Sequence, residues 1–237
     1  MNAMVLAAGR GTRLGSLGVS TPKVLLDLGG EPLLARHLRY LEREGVQRVV
    51  INAHHLAEHI RGFIARYSGP LELVCILEER LLGTAGGVRN ALPELRPGPF
   101  LVLYGDVLLD DSLAGAVETH RRRDAAATLA VHPAAAVEGK GVVELGEDGR
   151  VIAFVEKPVA SHRDHVWINS GVYLLDERFV SQLPAGQDLD FGNDVFPDAL
   201  ERGARIFAHK LSTPVLDIGT PQGLEQARAR VASERRQ

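Results

Sequence analysis

Met4-Val5-Leu6-Ala7-Ala8-Gly9-Arg10-Gly11-Thr12-Arg13-Leu14 is the stretch that decides the fold. Its first part, Met4 to Ala8, is a short apolar run without polar interruption, which suits a parallel strand buried on both faces. The run stops at glycine, and a loop directly after such a strand sits where an α/β sheet receives its ligand, outside the carboxyl end. Gly9 and Gly11 let backbone N–H groups approach a phosphate, and successive N–H groups of that kind form a concave anion site. Arg10, Arg13 and, further on, Lys23 add positive charge. Taken alone, a loop of this type is more often a plain glycine turn with solvated arginines.

Outward from this loop the chain alternates. Leu33, Leu34, Leu38 and Leu41 recur at helical spacing behind Pro32, which suits a first turn, and Gly45 ends the helix. Val49-Val50-Ile51 reads as a strand. Residues 55–67 read as a helix, 71–77 as a strand, 86–92 as a helix and 100–104 as a strand. Strands and helices at these intervals predict right-handed crossovers and a mainly parallel sheet.

After about residue 125 the rhythm changes. Segments 128–131, 141–145, 151–155 and 166–174 are strand-like with little helix between them. Glu147-Asp148-Gly149-Arg150 is a hairpin connection, because Asp-Gly supplies the positive φ such turns need. This half is expected to add antiparallel strands that shape one wall of a pocket. Helices at 193–201 and 222–231 are expected to bracket a last strand pair. No internal repeat, low-complexity tract or linker interrupts the chain, so one domain over residues 1–237 is expected.

Composition sets the outer bounds. The 237 residues are 45% hydrophobic and 24% charged, an ordinary globular balance that can fill a large α/β core. A net charge of −3 argues against a general nucleic-acid surface but leaves room for a local cluster of cations around phosphates. Cys75 stands alone, which excludes an intramolecular disulfide and a thiolate metal cage. Set in Leu73-Val74-Cys75-Ile76-Leu77, it reads as a small buried hydrophobe. No basic region precedes an apolar leader, and no run approaches the roughly 18 apolar residues that span a bilayer. The expectation is a soluble cytoplasmic protein with neither membrane nor nucleic acid as partner. A homo-oligomer is compatible with the sequence, which does not fix the number of copies.

Two nucleotide-binding patterns can be tested on the first loop. A dinucleotide fingerprint needs a third glycine where Leu14 stands and an acidic residue at the end of the second strand, which here closes Ile51-Asn52-Ala53. A Walker loop needs Gly-Lys-Ser/Thr directly before a helix, and that is missing. Dehydrogenase and ordinary P-loop readings are both disfavoured.

Leu6 to Leu14, followed by Thr21-Pro22-Lys23, resembles the signature loop of the sugar-1-phosphate nucleotidyltransferases. That resemblance implies a three-layer α/β/α sandwich, the nucleotide-diphospho-sugar transferase fold, with a Rossmann-like, mainly parallel but mixed sheet. It implies a nucleotide-binding half over about 1–125 and a sugar-binding half over about 126–237. The backbone of Leu6, Ala7, Ala8, Gly9, Gly11 and Thr12 would hold the triphosphate, with Arg13 and Lys23 as phosphate-binding and catalytic cations.

Further segments carry the resemblance along almost the whole chain. Leu82-Gly83-Thr84-Ala85-Gly86-Gly87 resembles the base-recognition segment, with Gly83 and Thr84 at the nucleotide and small residues admitting a flat base. Alone it reads equally as a helix N-terminus capped by Thr84. In Tyr104-Gly105-Asp106 a carboxylate follows a buried strand, which is costly unless it is paired or bound to a cation. The resemblance makes Asp106 a nucleotide-site metal ligand. The family usually carries Asn where Tyr104 stands. Lys140-Gly141-Val142-Val143 resembles the segment whose glycine, Gly141, touches the sugar. In Glu156-Lys157-Pro158 the resemblance gives Glu156 the sugar hydroxyls and Lys157 the sugar phosphate. Asn169-Ser170-Gly171-Val172-Tyr173 brings Asn169 to the sugar. Leu216-Asp217-Ile218-Gly219-Thr220-Pro221 supplies Asp217 as a second metal-binding carboxylate, with Val215 where an aromatic is common, and Thr220-Pro221 makes a sound helix start.

The implied reaction joins a nucleoside triphosphate to a sugar 1-phosphate and releases pyrophosphate, with Mg2+ held by Asp106 and Asp217. The short length and the 82–87 segment resemble guanylyltransferases of mannose or heptose 1-phosphates, which favours GTP. Ala8 and the stretch 50–56 resemble small uridylyltransferases that act on amino-sugar 1-phosphates in cell-wall recycling. Thymidylyl and cytidylyl transfer stay open. A non-catalytic sugar-nucleotide sensor on the same fold would have no need of Lys23, Asp106 and Asp217 together.

Three features carry no functional reading. His54, His55 and His59 lack the acidic residue of a metalloprotease helix and read as a polar face. Arg121-Arg122-Arg123 reads as a solvated helix end. Trp167 lies in a strand, either in the core or beside the sugar pocket.

Overall fold

Ala3, Met4 and Val5 are wholly buried, because β1 (Asn2–Leu6) is flanked by strands on both sides. The chain was described through a computed structural model that covers residues 1–134, 139–156 and 166–234; Lys157 and Pro158 lie outside the described residues. After β1 come α1 (Ser16–Ser20), α2 (Leu33–Arg43), β2 (Arg48–Ala53), α3 (Ala57–Ala65), β3 (Glu72–Leu77), α4 (Gly83–Leu95), β4 (Phe100–Tyr104) and β5 (Val107–Leu108). Then follow α5 (Ala114–Arg123), β6 (Ala127–Ala134), β7 (Gly141–Leu145), β8 (Val151–Glu156), β9 (Val166–Leu175) and α6 (Glu177–Ser181). The last elements are α7 (Phe196–Glu201), β10 (Ile206–Lys210), β11 (Leu216–Asp217) and α8 (Pro221–Glu234).

The large sheet runs in the order β10-β6-β9-β4-β1-β2-β3. β1 is parallel to β2 and β4, and β2 to β3, as the strand–helix alternation predicts. β9 enters antiparallel between β4 and β6, and its first residues also pair with β7. β7 and β8 form the expected hairpin, with Gly149 at φ +80°. The expected last strand pair does not form: β10 lies parallel to β6, whereas β11 pairs with β5 in a separate two-stranded sheet. The reason is burial. Ile206 and Phe207 fill the edge beside β6, while β11 is too short to do more than close over Val107 and Leu108.

Successive strand residues face opposite sides of the sheet, so each face needs its own cover. Val5, Ile51 and Leu103 pack beneath Leu34, Leu38 and Leu41 of α2 and Ile60 of α3. Met4, Val50 and Val102 pack on the other side against Val88, Leu92 and Leu95 of α4. The result is three layers, helix on sheet on helix. On the α4 side an aromatic group ties in the second half of the chain: Tyr173, Phe191 and Phe196 stand 5.1 to 5.3 Å apart, centre to centre. Trp167 packs at the margin of this cluster under the Lys210 ammonium, 4.5 Å from the ring centre, and does not reach the cavity described below.

The segment 187–189 lies as a strap across the start of α4. Leu189 N–H donates to Leu82 O at 3.0 Å, and Leu189 O accepts from Ala85 and Gly86 N–H at 2.9 and 3.1 Å. A side chain at Gly86 would run into the Gln187 carbonyl. Gly86→Ala is therefore expected to destabilise by about 1–3 kcal/mol, lowering Tm by several degrees, although Ala is the better helix former. A thermal melt showing a raised Tm would mean that the strap is not tight.

Candidate functional site

A cavity of about 790 Å3 opens at the carboxyl ends of β1 and β4 and extends toward β7 and β9. Leu6 sits opposite Asn52 on one side and Tyr104 on the other, so three strand ends meet there. β1 stops at Leu6 because the Ala7 N–H turns to donate to the Asn52 side-chain oxygen at 2.7 Å. Ala7, Ala8 and Gly9 then form one rim.

At this rim the charges gather. Lys23 Nζ lies 2.7 Å from Asp106 Oδ2, both side chains being largely shielded from solvent. This answers the cost of a carboxylate at the end of a buried strand: the partner is Lys23, not a helix N-terminus. Arg13, in a 3-10 turn at Thr12–Leu14, stands 3.8 Å from Asp217. The N–H of Gly219 donates to Asp217 Oδ1 at 2.6 Å. A Cβ on Gly219 would stand 2.8 Å from Asp217 Oδ1, 2.9 Å from Arg13 Nη2 and 3.2 Å from Asp106 Oδ2. Two carboxylates and a guanidinium thus face one small volume.

The β5–β11 sheet makes this meeting possible. Asp217 pairs with Val107, and Ile218 N–H donates to Asp106 O at 2.8 Å. The buried His37 of α2 holds the same segment from behind, with Nε2 2.7 Å from Val107 O. Burial lowers its pKa to about 4, so the ring is neutral at pH 7 and Nε2 must carry the proton that Val107 O accepts. Gly11 and Thr12 do not reach the cavity wall. Gly11, at φ +69°, packs its α-carbon against Gly18 and shapes the turn that carries Arg13.

A second lobe lies beyond the rim, between Leu6, Ala8, Leu81 and Gly83. Its inner end is polar. Asn52 Nδ2 donates to Glu78 Oε1 at 2.6 Å, and Leu82 N–H reaches Glu78 Oε2 at 3.3 Å. Burial raises the pKa of the Glu78 carboxyl. Gly87 must be small here, since a Cβ would stand 2.8 Å from Glu78 Oε1. Gly83 and Gly86 are small for a different reason: the 187–189 strap occupies the space a side chain would need. Asp188, on that strap, lines the lobe and makes no hydrogen bond or ion pair among the described residues. Thr84 is not a cap. Its hydroxyl donates to Asp190 at 2.8 Å and accepts from Phe191 N–H at 2.9 Å, which locks α4 to the following turn.

The third lobe contains Gly141, Glu156 and Asn169. Cβ atoms on Gly141 or Gly192 would each stand 2.7 Å from Glu156 Oε2, so two glycines frame this carboxylate. Asn169 sits at a bulge of β9: Leu129 pairs with Tyr173, but Val131 already pairs with Asn169. Bulges of this kind re-aim side chains beside functional sites. Ser170 is pinned behind it by His132, whose Nδ1 lies 2.9 Å from the hydroxyl. Lys157 lies outside the described residues.

Asn52, Glu78, His132, Asp188 and the tyrosines of this region were not singled out as site residues from the sequence. Asn52 and Glu78 did leave a signal, because each is a polar residue at the end of an apolar strand run. Among the described residues no group of three or more His, Cys, Asp or Glu is arranged to hold a metal.

Residues 2–234 match the family described as Nucleotidyl transferase. The chain is 32% identical over 234 residues to the UTP–glucose-1-phosphate uridylyltransferase of Synechocystis sp., with 92% of this chain and 60% of that one covered. It is 31% identical over 224 residues to the mannose-1-phosphate guanylyltransferase of Mycobacterium tuberculosis, covering 94% and 62%. It therefore spans about three fifths of the length of these two relatives. HddC from Yersinia pseudotuberculosis, solved in complex with GMP-PN, superposes with a TM-score of 0.82 at 27% identity, covering 97% of this chain and 98% of that one. No helix among the described residues is long and apolar enough to cross a membrane.

Proposed function

The chain belongs to the nucleotidyl transferase family, and we propose that it transfers a nucleotidyl group from a nucleoside triphosphate to a sugar 1-phosphate. The observation that carries this reading is the convergence of Arg13, Lys23, Asp106 and Asp217 on one cavity, between a lobe fit for a base and a lobe fit for a sugar.

In the reaction an oxygen of the sugar phosphate forms a bond to the α-phosphorus, the bond to the β-phosphate oxygen breaks, and pyrophosphate leaves with that electron pair. The attacking oxygen is already ionised at neutral pH, so no strong base is required. The barrier comes from bringing two anions together and from charge in the transition state, which makes positioning and electrostatic stabilisation the main tasks. Arg13 stabilises the departing pyrophosphate, and Lys23 binds the triphosphate. The backbone of Ala7, Ala8 and Gly9 lines the phosphate end. Lys157 is assigned to the sugar phosphate on sequence alone.

Asp106 and Asp217 suit Mg2+, an ion that takes one or two carboxylates and completes its shell with substrate phosphates and water. Their oxygens flank one point beside Gly219, and neither needs a third protein ligand. When bound, the ion would neutralise phosphate charge and fix its orientation.

GTP is the favoured donor. The base lobe is bordered by the carboxyl groups of Glu78 and Asp188, which suit the N1–H and amino donors of guanine. Uracil and thymine offer one N–H between two carbonyl acceptors and suit that border less well. The relatives acting on mannose 1-phosphate and the GMP-PN complex of HddC support the same choice. In the third lobe Glu156 and Asn169 offer acceptors and a donor for hydroxyls, which fits a mannose- or heptose-type 1-phosphate. Uridylyl transfer is the second reading, favoured by the Synechocystis relative.

Pyrophosphate release measured with each NTP against a panel of sugar 1-phosphates and Mg2+ is expected to be fastest for GTP with a mannose-type sugar. Release from no pair would overturn the reading. Asp106→Ala or Asp217→Ala is expected to slow turnover roughly 10²- to 10⁴-fold with the fold kept. A folded Asp106→Ala protein with near-normal turnover would contradict the metal role.

A further inference from the structure

Tyr104 stands two residues before Asp106, and nothing in the reaction above uses it. Its ring meets Tyr173 edge-on, with centres 5.6 Å apart and planes at 84°. The ring also fills the hollow of the β9 bulge. A Cβ on Gly171 would stand 2.9 Å from Tyr104 Cγ, and Gly171 has φ +67°, so glycine is required there on both counts. The bulge and the tyrosine are shaped to each other.

Asn169 hangs on the same arrangement. Its Oδ1 accepts from Gly171 N–H at 3.2 Å, and its Nδ2 donates to the Tyr173 hydroxyl at 2.7 Å. The Gly171 N–H can meet only the oxygen end of the amide, so the flip of Asn169 is fixed. The Tyr104 ring packs on both groups that hold this amide, edge-on against Tyr173 and close against Gly171. One N–H and one lone pair of Asn169 are left over for a ligand.

We propose that Tyr104 is a positioning residue for the sugar 1-phosphate: seated in the β9 bulge, it holds Asn169 with its free N–H and lone pair turned to the cavity. Tyr104 touches neither reacting phosphate. It acts through the packing of its ring on Gly171 and Tyr173, the two residues that hold the Asn169 amide. The inference rests on the nucleotidyl-transfer reading.

The test compares wild type with Tyr104→Leu, which removes the ring, and Tyr104→Phe, which keeps it, using GTP and mannose 1-phosphate. Tyr104→Leu should raise the KM for mannose 1-phosphate roughly 5- to 20-fold, while kcat and the KM for GTP each move by less than about twofold, and Tyr104→Phe should stay within about twofold of wild type in all three. Tyr173→Phe, which removes the hydroxyl that accepts from Asn169, should show the split of Tyr104→Leu. Calorimetric titration with mannose 1-phosphate should show the same weakening without turnover. An unchanged KM for mannose 1-phosphate in Tyr104→Leu, equal rises in both KM values, or a Tyr104→Phe protein as impaired as Tyr104→Leu overturns the positioning role and leaves the nucleotidyl-transfer reading standing. A wild-type chain that neither binds mannose 1-phosphate nor releases pyrophosphate from any NTP and sugar pair overturns both.

Discussion

Parallel pairing of β1 with β2 and β4 at the register Leu6–Asn52 and Leu6–Tyr104 is the constraint from which the site follows. That register sets three strand ends side by side. From the first springs the Ala7–Gly9 rim, from the second comes the Asn52 amide that ends β1, and from the third comes Asp106. A slip of one residue in any of these strands would turn every side chain to the opposite face. The fully buried alternation of Met4 and Val5 between the two helix layers prevents it.

Once the strand ends are fixed, opposite charges can be gathered without a large core penalty. Lys23 lies beside Asp106 and Arg13 beside Asp217, and the β5–β11 pairing brings the two carboxylates together. Lys23 and Asp106 lie largely shielded from water, where electrostatic interaction is stronger than at an open surface, while Arg13 and Asp217 are exposed. Two substrates that repel one another could be held at such a place. The second and third lobes of the cavity open on either side of it, and each is closed by elements from the other half of the chain. The 187–189 strap and Thr84–Asp190 bond close the second lobe, while Tyr104 packs beside the third.

Much of this was legible in the residues. Apolar runs bounded by glycine and charge located β4 and β7 to the residue, and the Asp148-Gly149 turn joined β7 to β8. Arg13, Lys23, Asp106, Asp217, Gly141, Glu156 and Asn169 come together at one cavity. What escaped has physical reasons. β5 and β11 have two residues each, too few for any periodicity, yet they join the two carboxylates. The smallness of Gly83 and Gly86 serves a strap from far along the chain, and spacing within 82–87 contains no trace of it. Tyr104 departs from the expected Asn, and its partner is a bulge that exists only once β6 and β9 have paired.

The most direct measurement is a crystal structure grown with Mn2+ and a non-hydrolysable GTP analogue, with the metal located by its anomalous signal. The peak is expected between Asp106 and Asp217, at about 2.0–2.3 Å from an oxygen of each, with the triphosphate against Arg13 and Lys23. A metal bound elsewhere, or a triphosphate lying away from those two cations, would contradict the assignment of this site.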